Sequence, residues 1–425
     1  MKNTIERINN LLRASLVKDS IWMVLSQGAG IFIQAAYFII VARVLGSKDY
    51  GTFIGITAFI KLIMPFVGFG SSDIFLKNVA RNPKVFRGYW GTTLLTCLIC
   101  VLGFIPLILV IANLLFPNKA SLLLVLLIIL ADLVGLKMWE LASSAFIAFD
   151  HYRLAAQAKI LYSIGKFLAA VMLLVFIKDG DIIAWGYLYC VGSLLPATVS
   201  LTKVIQLFGA PIFNLKKYPP EFSEGIFFAI SNSAEDINSQ IDKTMLVSLA
   251  TAGAAGIYAA GYRFIDVGYL ITIAVMSATY TRFLRHGESG IKNGLKFAFR
   301  LVPVAIGYGL LSAISLITIA PFVTDILGPD YADAANVLRV LAPIHLIATL
   351  QFIAADVLTG SGFHKIRSIL QVSAAILNLG LNIYLIPKFS WYGAASATLI
   401  SETFKLVTLW GLVFFYNKRT NLSEN

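Results

Sequence analysis

The sequence predicts an all-α integral membrane protein, with about twelve transmembrane helices arranged as two pseudo-symmetric six-helix lobes. Three observations lead there. Apolar stretches fill nearly all of the 425 residues, and a bilayer core about 30 Å thick is crossed by about 20 helical residues. The chain is 58% hydrophobic and 13% charged, with a mean hydropathy of +0.81, whereas soluble domains carry roughly 25% charged residues. The basic residues gather in alternate joints between the stretches.

From the N-terminus, residues 1–19 place Ile5, Ile8, Leu11, Leu12 and Leu16 at helical spacing, as in an amphipathic helix on the cytoplasmic membrane surface. No short apolar region with a small-residue cleavage site follows, so no cleaved signal peptide is expected. Six spans fall near 20–44, 50–76, 90–116, 122–149, 155–177 and 182–207, making an N-lobe of residues 20–207. A cytoplasmic linker, 208–221, carries Pro211, Pro219 and Pro220. The second six fall near 222–249, 253–281, 297–323, 334–360, 368–386 and 391–415, giving a C-lobe of 222–416 and a cytoplasmic tail of 417–425.

With the N-terminus inside, the inner segments hold 21 basic residues and the outer joints 5: Arg43, Lys48, Lys119, Lys178 and Lys388. That is the positive-inside bias of a polytopic protein. The net charge of +12 therefore reports topology, and no nucleic-acid partner is expected. The three cysteines, Cys97, Cys100 and Cys190, all fall in spans and read as packed thiols.

The halves echo each other. Gly51, Phe53, Phe59 and Ile60 align at one constant offset with Gly256, Tyr258, Phe264 and Ile265, and His151 with His364 at a similar one. A duplicated six-span unit has its symmetry axis along the membrane normal, and transporters of this design bind substrate between the halves. Pro65 with Gly68 and Gly70, and Pro303 with Gly307 and Gly309, mark places where a span can kink or pack closely.

Charges inside the spans cost at least ~2.5–3.5 kcal/mol each on insertion scales, yet this chain has many. The basic set is Lys61, Lys137, Lys159, Lys166, Lys243, Arg263, Arg339 and Lys405; the acidic set is Asp132, Glu140, Glu235, Asp236, Asp242, Asp266, Asp356 and Glu402. Asn232, Glu235, Ser239 and Asp242 form a stripe down one helix face. It is either a polar network that fixes packing or a cavity wall whose carboxylates exchange a proton or sodium ion. Arg263 with Asp266, Lys137 with Glu140 and Glu402 with Lys405 are three apart and can pair on their own helices. Lys61 and Lys166 lack an acidic neighbour within four positions, so each draws an anion from another span or from a substrate. Lys61, Lys166 and Arg263 are the candidates for holding an anionic headgroup. Glu235, Asp242 and Asp266 are the candidates for ion coupling, with Lys137, Glu140, Asn232, Ser239, Arg339 and Asp356 as further cavity residues. No P-loop, HExxH or GxSxG motif occurs, no metal site or cofactor is expected, and the protein does not read as an enzyme. His345, the one histidine within a span, reads as a bonded, packed side chain.

Several segments carry a family resemblance. Asn378-Leu-Gly-Leu-Asn382-Ile-Tyr-Leu-Ile386-Pro387 followed by Gly393-Ala394-Ala395-Ser396-Ala397-Thr398 resembles the N-x-x-L-N-x-x-L-I-P…G-A-A-x-A-T run of polysaccharide (O-antigen) flippases of the MATE-like superfamily. Ala42-Arg43-Val44-Leu45-Gly46 with Tyr50-Gly51 resembles their A-R-x-L-G-x-x-x-Y-G turn. Gly328-Pro329-Asp330-Tyr331 with Ala334 resembles G-x-x-Y-x-x-A, and Asp242 with Gly256-Ile257-Tyr258 resembles D…G-x-Y. Ser390 departs from the family's usual glycine in its turn. The resemblance implies a V-shaped pair of lobes in a bacterial inner membrane, with both termini cytoplasmic. It also implies flipping of an undecaprenyl-diphosphate-linked oligosaccharide for O-antigen, capsule or exopolysaccharide by alternating access, with proton or sodium coupling. Other polysaccharide-assembly membrane proteins are the implied partners. A MATE-like multidrug antiporter is the alternative.

Overall fold

In a computed structural model, residues 2–177, 180–213 and 222–423 are described; side chains are described at 28 and from 30 onward, apart from 222–224, 227, 228, 231, 232, 234, 235, 238 and 421–423. The amphipathic face expected in residues 1–19 and the side chains of Asn232 and Glu235 thus lie outside the described residues. Every regular element among the described residues is helical. Among the described residues eight helices are long and apolar enough to cross a bilayer, or nine if one bent pair counts as a span, so the expected twelve is not reproduced helix by helix. The reasons are local.

Helix α1 runs Lys2–Ile63, 62 residues, which as one rod would reach roughly 93 Å. It breaks at Gly46 (φ 69°, ψ 172°), a left-handed conformation open to glycine. The span expected over 50–76 stops early: Pro65 sets a 3₁₀ turn, Met64–Phe66, and Gly68, Phe69 and Gly70 all take positive φ before α2, Ser71–Arg81. Helix α3 is Phe86–Leu115. The next span is α4, Leu122–Ile129, a π-helical stretch, Leu130–Leu136, and α5, Lys137–Ala148. Helices α6 (Tyr152–Phe176) and α7 (Ile182–Phe208) complete the first half.

Helix α8, Phe222–Leu249, is the most polar of the long helices and is not among the eight. Helices α9 (Ala252–Glu288) and α10 (Ile291–Ile319) follow, then the short α11 (Phe322–Leu327). The tenth expected span is a bent pair, α12 (Ala334–Leu341) and α13 (Ile344–Gly360), with a 42° angle at Pro343. Helix α14, His364–Ser423, is two helices joined at Ser390 (φ 55°, ψ −135°).

The chain forms two compact units. The first comprises Met1–Leu45 and Ile56–Glu235. In it α6 and α7 touch backbone to backbone: a Cβ at Gly192 would lie 2.8 Å from the Gly165 carbonyl. The second comprises Gly46–Gly55 and Asp236–Asn425, with a core of Phe283, Leu295, Ile353, Val357 and Val413 among others. There Gly51 abuts the backbone of Ala252 and Gly256, while Gly256 abuts Ser47 and Gly51. The contact is reciprocal at the repeat's own offset, as a two-fold between duplicated segments produces.

The two Pro–Gly clusters behave differently. The first breaks its helix, whereas α10 continues through Pro303. A Cβ at Gly309 would sit 2.6 Å from the Leu346 Cα, yet one at Gly307 meets nothing within 4 Å. We therefore expect Gly309→Ala to cost about 1–3 kcal/mol by overpacking and Gly307→Ala to cost nothing, read as melting temperatures of the purified protein. Equal shifts would refute the packing account. Ser390→Gly should stabilise by about 1 kcal/mol, because a left-handed residue stores ~1–3 kcal/mol and glycine's looser unfolded chain offsets only ~0.4–1; an unchanged melting temperature would contradict it.

Candidate functional site

In the second unit the kink at Ser390 folds α14 back, so that residues of its two limbs meet. Asn378 Nδ2 donates to Ser401 Oγ at 3.1 Å, and Asn382 Nδ2 to Asn378 Oδ1 at 2.9 Å. Asp242, on α8, completes the cluster. Its Oδ2 accepts from the Tyr258 hydroxyl at 2.7 Å and from Thr398 Oγ1 at 3.2 Å. All of these side chains are buried. Two acceptor oxygens, Asp242 Oδ1 and Asn382 Oδ1, have no hydrogen-bond partner among the described residues. A buried carboxylate without a compensating charge is costly. Lys243 turns away from it, to the Ser239 carbonyl and Gln240 Oε1, with its ammonium 5.1 Å from the Tyr262 ring centroid. The arrangement is acceptor-rich, which suits a proton or a small cation.

The first unit holds a different carboxylate. The π-helical stretch carries Asp132, 1% exposed, and its Oδ1 accepts from the Tyr189 hydroxyl at 2.7 Å. Lys166 Nζ donates to that same hydroxyl at 3.0 Å and lies over the rings of Tyr162 and Tyr189. The close approach of Gly165 to Gly192 lets α6 reach α7 for this contact. Lys166 therefore has its anion on another span, through one phenol. Asp132 Oδ2 has no hydrogen-bond partner among the described residues.

The other candidates are placed as follows. Lys137 pairs with Glu140 at 3.6 Å, and Lys405 with Glu402 at 2.6 Å, where Gln351 also donates at 2.6 Å. Asp356 pairs with Arg367 at 3.5 Å, a partner outside the expected cavity set. Arg339 is exposed and donates to Asn336 at 2.9 Å. Lys61 is half-buried. Arg263 and Asp266 are both exposed on α9. Ser239 is exposed while Asp242, one turn on, is sealed in, so the stripe on α8 does not lie on one surface. His345 is bonded through Nε2 to the Ile265 carbonyl (2.9 Å) and through Nδ1 to Ser312 Oγ (2.7 Å), as expected. Cys97 is packed, 3.8 Å from Ser71 Oγ.

Sequence reasoning missed the roles of Tyr258, Thr398, Asn378 and Asn382 around Asp242, although each stands in a motif already singled out. It also left Asp132 aside. The usable signal was a mid-span acid with no cation three or four residues away.

The fold is shared with transporters of the MOP superfamily. A multidrug resistance MATE family transporter in an inward-facing conformation superposes with a TM-score of 0.73 at 14% identity, covering 93% of this chain and 99% of that one. The lipid II flippase MurJ, in an inward closed conformation, gives 0.70 at 17% identity over 93% and 87%. A MOP superfamily transporter from Pyrococcus furiosus gives 0.61 at 15% over 94% and 96%. No curated protein matches the sequence. A family model described as polysaccharide biosynthesis protein matches residues 16–285, and the chain belongs to that family.

The Asp242 cluster makes a thermodynamic prediction. Tyr258→Phe and Thr398→Val should each lower stability by about 0.5–1.5 kcal/mol. The double variant should lose other than their sum, because both groups bond one oxygen. A strictly additive double-mutant cycle in thermal melting would show that the cluster is not one unit.

Proposed function

We propose that the protein is a flippase that moves an undecaprenyl-diphosphate-linked oligosaccharide from the cytoplasmic to the outer leaflet of a bacterial inner membrane, by alternating access coupled to a proton or sodium ion. Membership of the polysaccharide biosynthesis family is the observation that carries this reading, since the fold alone is common to drug exporters and to a lipid II flippase. Arg263, exposed on α9 with Asp266 one turn on, supports it. A mid-span cation attracts a diphosphate and repels a cationic drug in a low-dielectric setting. Lys61 is the second candidate for the diphosphate. Lys166 is the third, and to serve it would have to leave the Tyr189 hydroxyl. Asp242, with its vacant acceptor oxygen, is the candidate coupling group.

In a deletion strain, lipid-linked oligosaccharide should accumulate where an external sugar-modifying enzyme cannot reach it, and surface glycan should fall. Normal exposure of the lipid-linked pool, in a strain that gains drug sensitivity, would move the assignment to a multidrug antiporter. In the complemented strain Arg263→Ala should cut surface glycan at least tenfold. Asp242→Asn keeps an oxygen for Tyr258 and Thr398, so the protein should still fold. It should nonetheless lose the dependence of flipping on the ion gradient, measured in vesicles, and a variant with wild-type gradient dependence would remove Asp242 from coupling.

A further inference from the structure

Where α9 ends and α10 begins, basic side chains from both helices converge. Arg285 and His286 from the last turn of α9, with Lys296 and Arg300 from α10, line a cleft of about 470 Å³ whose floor is Phe297 and whose rim includes Ser289 and Asn293. No carboxylate lines it, and Arg285, Lys296 and Arg300 make no ion pair among the described residues. The His286 ring stacks on Phe297 at 4.8 Å and 10°. Its Nδ1 donates to the Arg282 carbonyl at 2.7 Å; a carbonyl can only accept, so Nδ1 carries the proton and Nε2 is left for another partner.

Two ordinary explanations fall short. The negative end of a helix favours cations in its last turn, which accounts for Arg285 and His286 on α9. It does not account for Lys292, Lys296 and Arg300, which sit at four-residue steps near the opposite, positive end of α10, where like charges repel. The positive-inside rule asks for basic residues on one side of the membrane, but not for their convergence on one cleft.

Apolar surface adjoins the cleft. Phe299 and Phe414 are exposed and cluster with Trp410: ring centroids are 6.2 Å apart for Phe299–Trp410, 6.4 Å for Phe299–Phe414 and 5.6 Å for Trp410–Phe414. Leu284 and Val304 are exposed on the same two helices. Cationic groups above an aromatic, lipid-facing surface match a molecule with an anionic phosphate at one end and hydrocarbon at the other.

We infer that this cleft binds the phosphodiester headgroup of an anionic bilayer phospholipid such as phosphatidylglycerol, with its acyl chains lying along the Phe299–Trp410–Phe414 face. The cleft has room for a phosphodiester headgroup. The inference requires only that the chain is embedded in a membrane; it stands or falls independently of the flippase reading.

The test is native mass spectrometry of the full-length protein released from detergent. Phosphatidylglycerol, phosphatidylethanolamine with the same chains and inorganic phosphate are each titrated in. Phosphatidylglycerol adducts should exceed phosphatidylethanolamine adducts about tenfold. The combined variant Arg285→Gln, Lys296→Gln, Arg300→Gln should lose that preference. A charge-matched control, Arg81→Gln, Lys84→Gln, Lys203→Gln, should keep it. Equal retention of the two lipids by the wild type overturns the inference, as does an undiminished preference in the first variant. Displacement of the lipid by millimolar inorganic phosphate would mark a soluble-anion site and overturn the lipid assignment. Should the triple variant not fold, photoactivatable phosphatidylglycerol on the wild-type protein decides: crosslinks should map to residues 282–300 and 410–414, and crosslinks confined elsewhere overturn it.

Discussion

Hydrocarbon cannot solvate a polar group, and that constraint organises both units. In lipid every backbone donor and acceptor must be satisfied within the protein, which makes all regular structure here helical. It also decides where the helices break. Gly46, Gly68, Gly70 and Ser390 take positive φ, and at the two best-defined breaks the freed backbone is covered by protein: Gly70 abuts the Gly225 backbone, and Gly393, just past Ser390, abuts the carbonyl of Leu385. The same constraint acts on side chains. Lys137, Glu402, Lys405 and Asp356 are buried, and each has an opposite charge within 4 Å. Five of the sixteen intramembrane charges named from the sequence, Lys137, Glu140, Asp356, Glu402 and Lys405, thus stand in ion pairs.

The motifs that resemble the flippase family are far apart in sequence but meet in the second unit. Gly46, from the first turn motif, would bring a Cβ within 3.0 Å of Asp330 Oδ2 in the G-P-D-Y segment. Tyr50 and Tyr331, from the same two motifs, meet edge to face at 6.3 Å. Gly51 meets Gly256 backbone to backbone. Tyr258, two residues on, bonds Asp242, and Thr398 joins them. A pattern read as four loose matches is thus one packed assembly, in which glycine permits close approach and the Tyr–Asp–Thr triad satisfies what that approach buries.

Legibility from the sequence followed the physics of each feature. Apolar length and charge alternation are one-dimensional signals, so the helical membrane class was readable, and the i,i+3 pairs Lys137–Glu140 and Glu402–Lys405 were readable because one helix sets their geometry. Pairings across helices were not. Nothing in sequence links Lys166 to Tyr189 and Asp132, or Asp356 to Arg367, since each depends on which faces pack. Helix boundaries were hidden for a related reason. Pro65 and Pro343 lie inside apolar runs that hydropathy cannot divide, while Pro303 lies in one that stays whole. Ser390 was legible in a different way: its departure from the family's glycine pointed to the residue that must adopt a left-handed conformation.

The two buried carboxylates show why coupling is assigned to one unit rather than both. Asp132 and Asp242 are alike in receiving a tyrosine hydroxyl on one oxygen and, among the described residues, nothing on the other. They differ in what stands behind the tyrosine. Tyr189 accepts from the Lys166 ammonium, so that site carries its own permanent cation one hydroxyl away. Tyr258 instead meets Thr398 at 3.1 Å, and the groups beyond are Asn378, Asn382 and Ser401, neutral donors and acceptors. A carboxylate already balanced by a tethered ammonium gains little from an exchangeable cation, because the second cation meets like charge. A carboxylate surrounded by neutral oxygens gains the whole interaction. For the coupling proposed above, Asp242 is therefore the better candidate of the two, while the Lys166–Tyr189–Asp132 chain links α6 and α7 to the π-helical stretch.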